Sequence, residues 1–66
     1  MELVVNAAAY THTGDGTLAD LIREMGAETT RAAVVLNGDL VVSARWEETV
    51  LNEGDRVEVV VFVGGG

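Results

Sequence analysis

The chain is short and strongly acidic, and these two properties exclude several classes of function. It has 66 residues with no cysteine and one histidine, so disulfides, a thiolate zinc site and a histidine-rich metal site are excluded. A chain of this size buries only about 60% of its unfolded surface, which disfavours the deep pocket of a self-sufficient enzyme. Eleven acidic and four basic residues give a net charge of −7, which disfavours nucleic acid and anionic membranes as partners.

The same charge favours a partner protein with a basic surface, although it is equally well explained as an aid to solubility. The amino terminus lacks a basic region followed by a long apolar run, so the sequence predicts no secretory signal. The longest apolar stretch, residues 59–63, is too short to cross a bilayer. We therefore expect a soluble cytoplasmic protein.

The first half of the chain predicts a hairpin followed by a helix. Residues 1–6 alternate as a strand with Met1, Leu3 and Val5 on its buried face. Residues 7–9 predict a turn, residues 10–13 a short second strand, and residues 14–16 a loop. Thr17 is a typical N-cap, and Gly26 favours a helix end. The apolar stripe of the predicted helix 18–25 consists of Leu18, Leu21, Ile22 and Met25.

The second half predicts three more strands. Asn37-Gly38 favours a two-residue hairpin turn between strands 32–36 and 39–43. Residues 44–51 have no clean period and are predicted to wrap an edge of the sheet, and residues 52–55 form a turn. Residues 56–63 predict the last strand. The expected architecture is α+β, with a mixed sheet of four to five strands packed on one helix in a single domain, residues 1–63.

Three glycines, Gly64, Gly65 and Gly66, follow the last strand and are predicted to form a flexible tail. Without side chains, Gly64 and Gly65 fit a narrow channel in which any Cβ would clash. The carboxylate of Gly66 is unhindered and ionised at neutral pH, so another enzyme could activate it as an acyl group. Ordering three residues costs roughly 1–2 kcal/mol each, so a docking surface elsewhere on the domain is needed for affinity.

Several features have the order and spacing of a known family. They are a first strand ending at Asn6, the helix start Thr17-Leu18, the hairpin Val34-Val35-Leu36-Asn37-Gly38, Val41-Val42, Trp46, Leu51, Gly54-Asp55 and a valine-rich last strand running into Gly65-Gly66. Over essentially its whole length the chain resembles the ThiS family, the sulfur carriers of thiamine biosynthesis. It departs from the family pattern in lacking a Pro-Arg pair within residues 42–46 and in having Gly64 before the terminal pair.

The resemblance implies the ubiquitin-like β-grasp fold and a chemistry performed by partner enzymes. An E1-like adenylyltransferase, ThiF- or MoeB-like, would use ATP and Mg²⁺ to adenylate Gly66. Sulfur from a cysteine desulfurase persulfide would then displace AMP and leave a C-terminal thiocarboxylate, which a ThiG-like thiazole synthase accepts. The carrier would supply no catalytic side chain, metal or cofactor. The alternatives are a carrier for molybdopterin, cysteine or secondary-metabolite synthesis, and a non-covalent ubiquitin-like interaction module.

Strand alternation predicts which residues meet the partner. If Val57, Val59 and Val61 face the helix, an apolar patch remains on the uncovered face of the sheet. The predicted partner-binding residues of that patch are Val4, Val35, Val60 and Phe62. His12 is predicted to be a solvated loop histidine, and Trp46 is predicted to pack at the edge of the core.

Overall fold

The computed structural model describes residues 1–27 and 31–62. Val63, the predicted last residue of the final strand, and the glycine tail therefore lie outside the described residues. The described elements are β1 Glu2–Val5, β2 Ala8–Thr11, α1 Leu18–Glu24, β3 Arg31–Leu36, β4 Asp39–Val41, a 3₁₀ helix Ser43–Glu48 and β5 Arg56–Phe62. They form a single mixed sheet in the order β2-β1-β5-β3-β4. Among the described strands only the β1–β5 pair is parallel, so the sheet is mixed and has five strands, as the sequence predicts.

One face of the sheet packs against α1 and forms the core. The predicted stripe is confirmed for Leu18, Leu21 and Ile22, which are fully buried, whereas Met25 follows the helix and is partly buried against the same core. The sheet contributes to the same cluster the buried residues Leu3, Val5, Val34, Val57 and Val59. Burying one such side chain contributes roughly 1.5–3 kcal/mol, so this interface dominates the stability of the domain. None of the helices in the described ranges has the length and apolarity needed to span a membrane.

The two ends of α1 follow the predicted local signals. The Thr17 hydroxyl accepts a hydrogen bond from the backbone N–H of Asp20 at 3.2 Å, which satisfies one free donor of the first turn. Gly26 has a φ of 74°, a left-handed conformation that glycine adopts without strain. The helix ends at Glu24, one residue before the predicted end, with Met25 as the C-cap.

The predicted second strand, residues 10–13, is wrong in its bounds. Asn6 and Ala7 form the turn, with φ values of 50° and 66°, and β2 therefore begins at Ala8. Asparagine often adopts this conformation, but alanine rarely does, so the sequence signal for a tight turn is only half present. As a result, His12 and Thr13 belong to the loop after β2.

The predicted end of the fourth strand also needs correction. The strand predicted over 39–43 ends at Val41, because the chain then turns into a 3₁₀ helix in which the Trp46 indole donates to the carbonyl of Val41 at 2.9 Å. Val61 has the direction that strand alternation predicts, but unlike Val57 and Val59 it is 44% exposed. The register puts Val61 on the helix-facing side, opposite Ala32. It lies beyond the last residue of β5 that pairs with β1, Val57.

Candidate functional site

The strand that leads into the glycine tail is held in the middle of the sheet. β5 pairs with β3 from Val57 to Phe62 and with β1 at Arg56 and Val57. Gly64, Gly65 and Gly66 lie outside the described residues, so the chemistry of Gly66 stays a prediction. What the structure does define is the surface of the domain around the end of β5.

An apolar patch covers one half of the sheet face that α1 leaves open. Residues that oppose each other across a ladder share a face of the sheet. The pairs Ala33–Val60 and Arg31–Phe62 therefore lie on the open face, as does the partly buried Val35. Val60 is 50% exposed and Phe62 is 55% exposed. Three of the four predicted docking residues are thus brought together.

Leu40 joins this patch and was missed in the sequence analysis. It pairs with Val35 in the β3–β4 ladder and is 67% exposed. Its signal was available, because the turn Asn37-Gly38 fixes the register of the hairpin. We call Val35, Leu40, Val60 and Phe62 the open-face patch.

Val4 is on the same face but is separated from the open-face patch. It pairs with Arg56 on the opposite side of β5. The side chains of Arg56 and Glu58 therefore lie between Val4 and the patch. Val4 instead lines a cleft of about 620 Å³ together with Asn6, Ala7, Arg56 and Glu58.

Asn6 fixes the path of β5 toward the tail. Its backbone N–H donates to the carbonyl of Val57 at 2.9 Å, and its side-chain Oδ1 accepts from the N–H of Val59 at 2.8 Å. The side chain thereby continues the β1–β5 ladder by one hydrogen bond after the backbone of β1 has turned away. In the sequence, Asn6 is recognisable only as the end of a strand.

The prediction that His12 is solvated is wrong. His12 is 3% exposed, and its Nδ1 lies 3.0 Å from Oε1 of Glu24. Its Nε2 accepts from the N–H of Gly16 at 3.0 Å, so Nδ1 holds the proton and donates to Glu24. In the sequence, the one indication of this position is the spacing of Tyr10 and His12. Side chains two residues apart on a strand point to the same face of the sheet.

Glu24 is the centre of the hydrogen bonds around His12. Its carboxylate also accepts from the Tyr10 hydroxyl at 2.8 Å and from the backbone N–H and hydroxyl of Thr13 at 3.1 and 3.0 Å. These hydrogen bonds, with that of His12 the strongest, lower the pKa of Glu24 to about 2. Glu24 therefore ties the end of β2 to the last turn of α1, which is a structural role.

The loop between β2 and α1 brings together His12, Asp15 and Asp20, whose ligand atoms lie within 4.8 Å of one another. Each of these side chains already accepts a hydrogen bond from the loop backbone: His12 from Gly16, Asp15 from Thr17, and Asp20 from Asp15. The hydrogen bonds from the side chain and backbone of Thr17 lower the pKa of Asp15. We interpret the group as loop architecture and assign no metal to it.

Comparison with known proteins identifies the family. The model of the ThiS family matches residues 3–66. A thiazole synthase from Paramagnetospirillum magneticum is 32% identical over the whole chain, and the chain spans only 20% of that protein's length. A sulfur carrier protein ThiS from Thermus thermophilus is 38% identical over 50 residues, which are 76% of this chain and 78% of that protein.

Two solved structures have the same fold. A crystal structure of the thiamine biosynthesis protein ThiS from Geobacter metallireducens superposes with a TM-score of 0.80, covers both chains completely and is 29% identical. A solution structure of a thiamine biosynthesis protein from the same organism has a TM-score of 0.78 and 30% identity, covering all of this chain and 88% of that one. The predicted ubiquitin-like β-grasp fold is confirmed, and the chain belongs to the ThiS family.

Proposed function

We propose that this chain is a sulfur carrier of thiamine biosynthesis and that its reactive group is the C-terminal carboxylate of Gly66. The observation that supports this most strongly is the match to the ThiS family, which extends through residue 66 and thus includes all three terminal glycines. In this proposal the carrier is a substrate of its partner enzymes. It contributes the carboxylate and the surfaces that present it.

The proposed chemistry has two stages. The Gly66 carboxylate attacks the α-phosphorus of ATP on an E1-like adenylyltransferase, which forms an acyl adenylate and releases pyrophosphate. The terminal sulfur of a persulfide that originates from a cysteine desulfurase then attacks the acyl carbon, and AMP leaves. A thiol cleaves the S–S bond of the resulting acyl disulfide, which releases the thiocarboxylate and leaves the sulfur donor joined to that thiol as a disulfide. ATP and Mg²⁺ belong to the adenylyltransferase. The ATP requirement makes the cytoplasm the expected location.

Thiazole synthase is the proposed acceptor of the sulfur. The relative from Paramagnetospirillum magneticum is named a thiazole synthase, and a segment equal to a fifth of its length matches this chain from end to end. A carrier-like segment and a synthase in one polypeptide are expected when the two must meet repeatedly, because linkage raises their effective concentration. This favours the thiamine pathway over the other sulfur-carrier pathways.

The open-face patch is the proposed docking surface for the adenylyltransferase. Phe62 is the best candidate for an anchor, because an aromatic ring that is 55% exposed still has about half of its area to bury. Completing that burial contributes about 1 kcal/mol, and a carboxylate at this position would also have to be desolvated. Phe62→Asp should therefore weaken binding at least about tenfold.

A charge-matched control separates docking from general electrostatics. Val50 is 66% exposed and takes part in an isolated bridge with Thr17, away from the open-face patch. Val50→Asp adds the same charge and should leave the affinity within about twofold of the parent, as expected for a surface change outside an interface. Equal losses in both variants would remove Phe62 from the docking surface.

The function itself is tested by intact-mass analysis. The carrier is incubated with its cognate adenylyltransferase, ATP, Mg²⁺ and a sulfur donor, and we expect the mass change of one oxygen replaced by sulfur. Fragmentation should assign the change to Gly66. A chain that ends at Gly65 still has a terminal carboxylate but is one residue shorter, and it should not be modified. Absence of both adenylate and thiocarboxylate with competent enzymes would refute the proposal.

A further inference from the structure

Within the described part of the chain, the last residues of β5 have one backbone edge that pairs with no neighbouring strand. Val4 N–H donates to the carbonyl of Asp55, and Asn6 N–H donates to the carbonyl of Val57. The carbonyl of Arg56 instead accepts from Asn37, at the start of the hairpin turn after β3. The N–H and C=O groups of successive residues point to alternate edges of a strand. Those of residues 55, 57 and 59 therefore point toward β1, and those of residues 56 and 58 point toward β3.

The same alternation directs the carbonyl of Val59 and both backbone groups of Val61 toward the β1 side. There β1 has already ended at Val5, and the turn at Asn6 and Ala7 leads the chain away into β2. The Asn6 side chain pairs with Val59 N–H, and within residues 1–27 and 31–62 no further group pairs with this side of β5. We call the carbonyl of Val59 and the N–H and carbonyl of Val61 the β5 half-edge.

The half-edge has the chemistry of a strand-binding site. It offers an acceptor, a donor and an acceptor at strand spacing, which an extended backbone can match and a helix cannot. Natural proteins cover or charge such edges, because an open one accepts a further strand. Here the flanking side chain is neither charged nor covered, since Val61 is 44% exposed. The half-edge ends one residue before the last described residue, Phe62.

We propose that the β5 half-edge binds an extended segment of the adenylyltransferase, which adds as a strand between β5 and the turn at Asn6. The segment would supply backbone hydrogen bonds to Val59 and Val61 and an apolar side chain against Val61. The net charge of −7 favours basic residues at its other positions. The added strand would hold the last residues of β5 on both sides and thereby aim the tail into the enzyme. The identity of the partner rests on the proposed function, whereas the half-edge itself rests on the hydrogen bonds of β5.

Amide hydrogen exchange provides the test, with an internal control. In the free carrier the Val61 amide should exchange fast, while the Val59 amide, bound to Asn6 Oδ1, should be protected. Saturation with the cognate adenylyltransferase should slow exchange at Val61 at least about tenfold. Unchanged exchange at Val61 in the saturated complex would overturn the proposal. Protection that grows with the concentration of carrier alone would overturn it in favour of pairing between two copies.

A pair of variants tests the same bond by affinity. Val61→Pro removes the N–H on the half-edge side without removing a hydrogen bond to β3, and it should weaken binding about tenfold, the loss of one hydrogen bond. Val61→Thr keeps the N–H and the β-branched shape, so its affinity should change less than about threefold. Equal affinities of the two variants would refute a role for the Val61 N–H.

Failure of this proposal differs from failure of the proposed function. If Gly66 is converted to a thiocarboxylate while Val61 stays unprotected in the complex, the carrier function stands and the strand addition is wrong. If no complex forms with competent adenylyltransferase, both proposals are refuted.

Discussion

Replacing Glu24 by glutamine should lower the free energy of unfolding of the domain at neutral pH and make that free energy depend less on pH in the acid range. The carboxylate accepts hydrogen bonds from Tyr10, His12 and Thr13, which join the end of β2 to the last turn of α1. Glutamine keeps the shape of the side chain but has a single acceptor oxygen. It therefore loses either the hydrogen bonds from Tyr10 and His12, which Oε1 accepts, or those from Thr13, which Oε2 accepts. Its NH₂ group would also face a donor, either the N–H of His12 or that of Thr13.

The size of the effect follows from the pKa of Glu24, which the structure lowers from 4.5 to about 2. At about 1.36 kcal/mol per pH unit this corresponds to roughly 3 kcal/mol as an upper limit. The Glu24 side chain is 23% exposed, so solvent screening reduces the expected contribution to about 1–2 kcal/mol. Because the folded pKa is below the unfolded one, this stability is present above about pH 4.5 and is lost as the pH falls toward 2.

Urea unfolding at pH 7, about 4 and about 2.5 measures this difference directly. At pH 7 Glu24→Gln should be less stable than the parent by about 1–2 kcal/mol, and the two curves should converge near the lowest pH. Glu58→Gln is the matched control, since Glu58 lies exposed on the open face and should change stability by less than about 0.5 kcal/mol. Parallel curves for the parent and Glu24→Gln would refute the assignment of the low pKa to this residue.

Three further predictions concern the backbone, each measured by urea unfolding at neutral pH. Ala7→Gly should stabilise the domain by about 0.5–1 kcal/mol, because relief of a left-handed alanine exceeds the entropy that glycine adds to the unfolded chain; no gain would contradict this. Gly14→Ala should destabilise it by about 1–3 kcal/mol, because the new Cβ would overlap the carboxylate of Asp20. Asn6→Ala should cost about 1–3 kcal/mol by leaving the Val59 N–H unpaired, whereas Asn6→Asp, which keeps an acceptor, should cost less; equal losses would contradict the role of Oδ1.

Sequence patterns predicted the elements whose signals are local. The cap Thr17, the stripe of α1 and the stop at Gly26 lie within one short segment, and all three are confirmed. The turn Asn37-Gly38 is equally local, and both residues have positive φ as expected. The turn before β2 was displaced because Ala7 occupies a conformation for which alanine gives no signal. Propensity reports what a residue prefers, and here the pairing of β1 with β2 overrides the preference.

Long-range contacts account for what the sequence could not predict. The partner of His12 is Glu24, twelve residues away, and no periodicity relates a loop histidine to the end of a helix. Alternation assigned Val4 and Phe62 correctly to the open face, but it does not give the order of the strands. Only the order β2-β1-β5-β3-β4 shows that β5 separates Val4 from the open-face patch. The exposure of Val61 is likewise not predictable from the sequence, because alternation gives the direction of a side chain and not what covers it.

Asn6 determines where β5 loses its pairing with β1. Its left-handed backbone ends the pairing of β1 with β5, and its side chain supplies one last bond, to Val59. Among the described strands only β3 pairs with β5 beyond that point, and the side chains of Val60, Val61 and Phe62 are all about half exposed. A partner that grips this stretch meets apolar side chains on both faces and a free backbone edge between them. If the partner binds these residues, the glycines need not contribute to affinity. Gly64 and Gly65 would then serve to fit a narrow channel, and Gly66 would serve to supply an unhindered carboxylate.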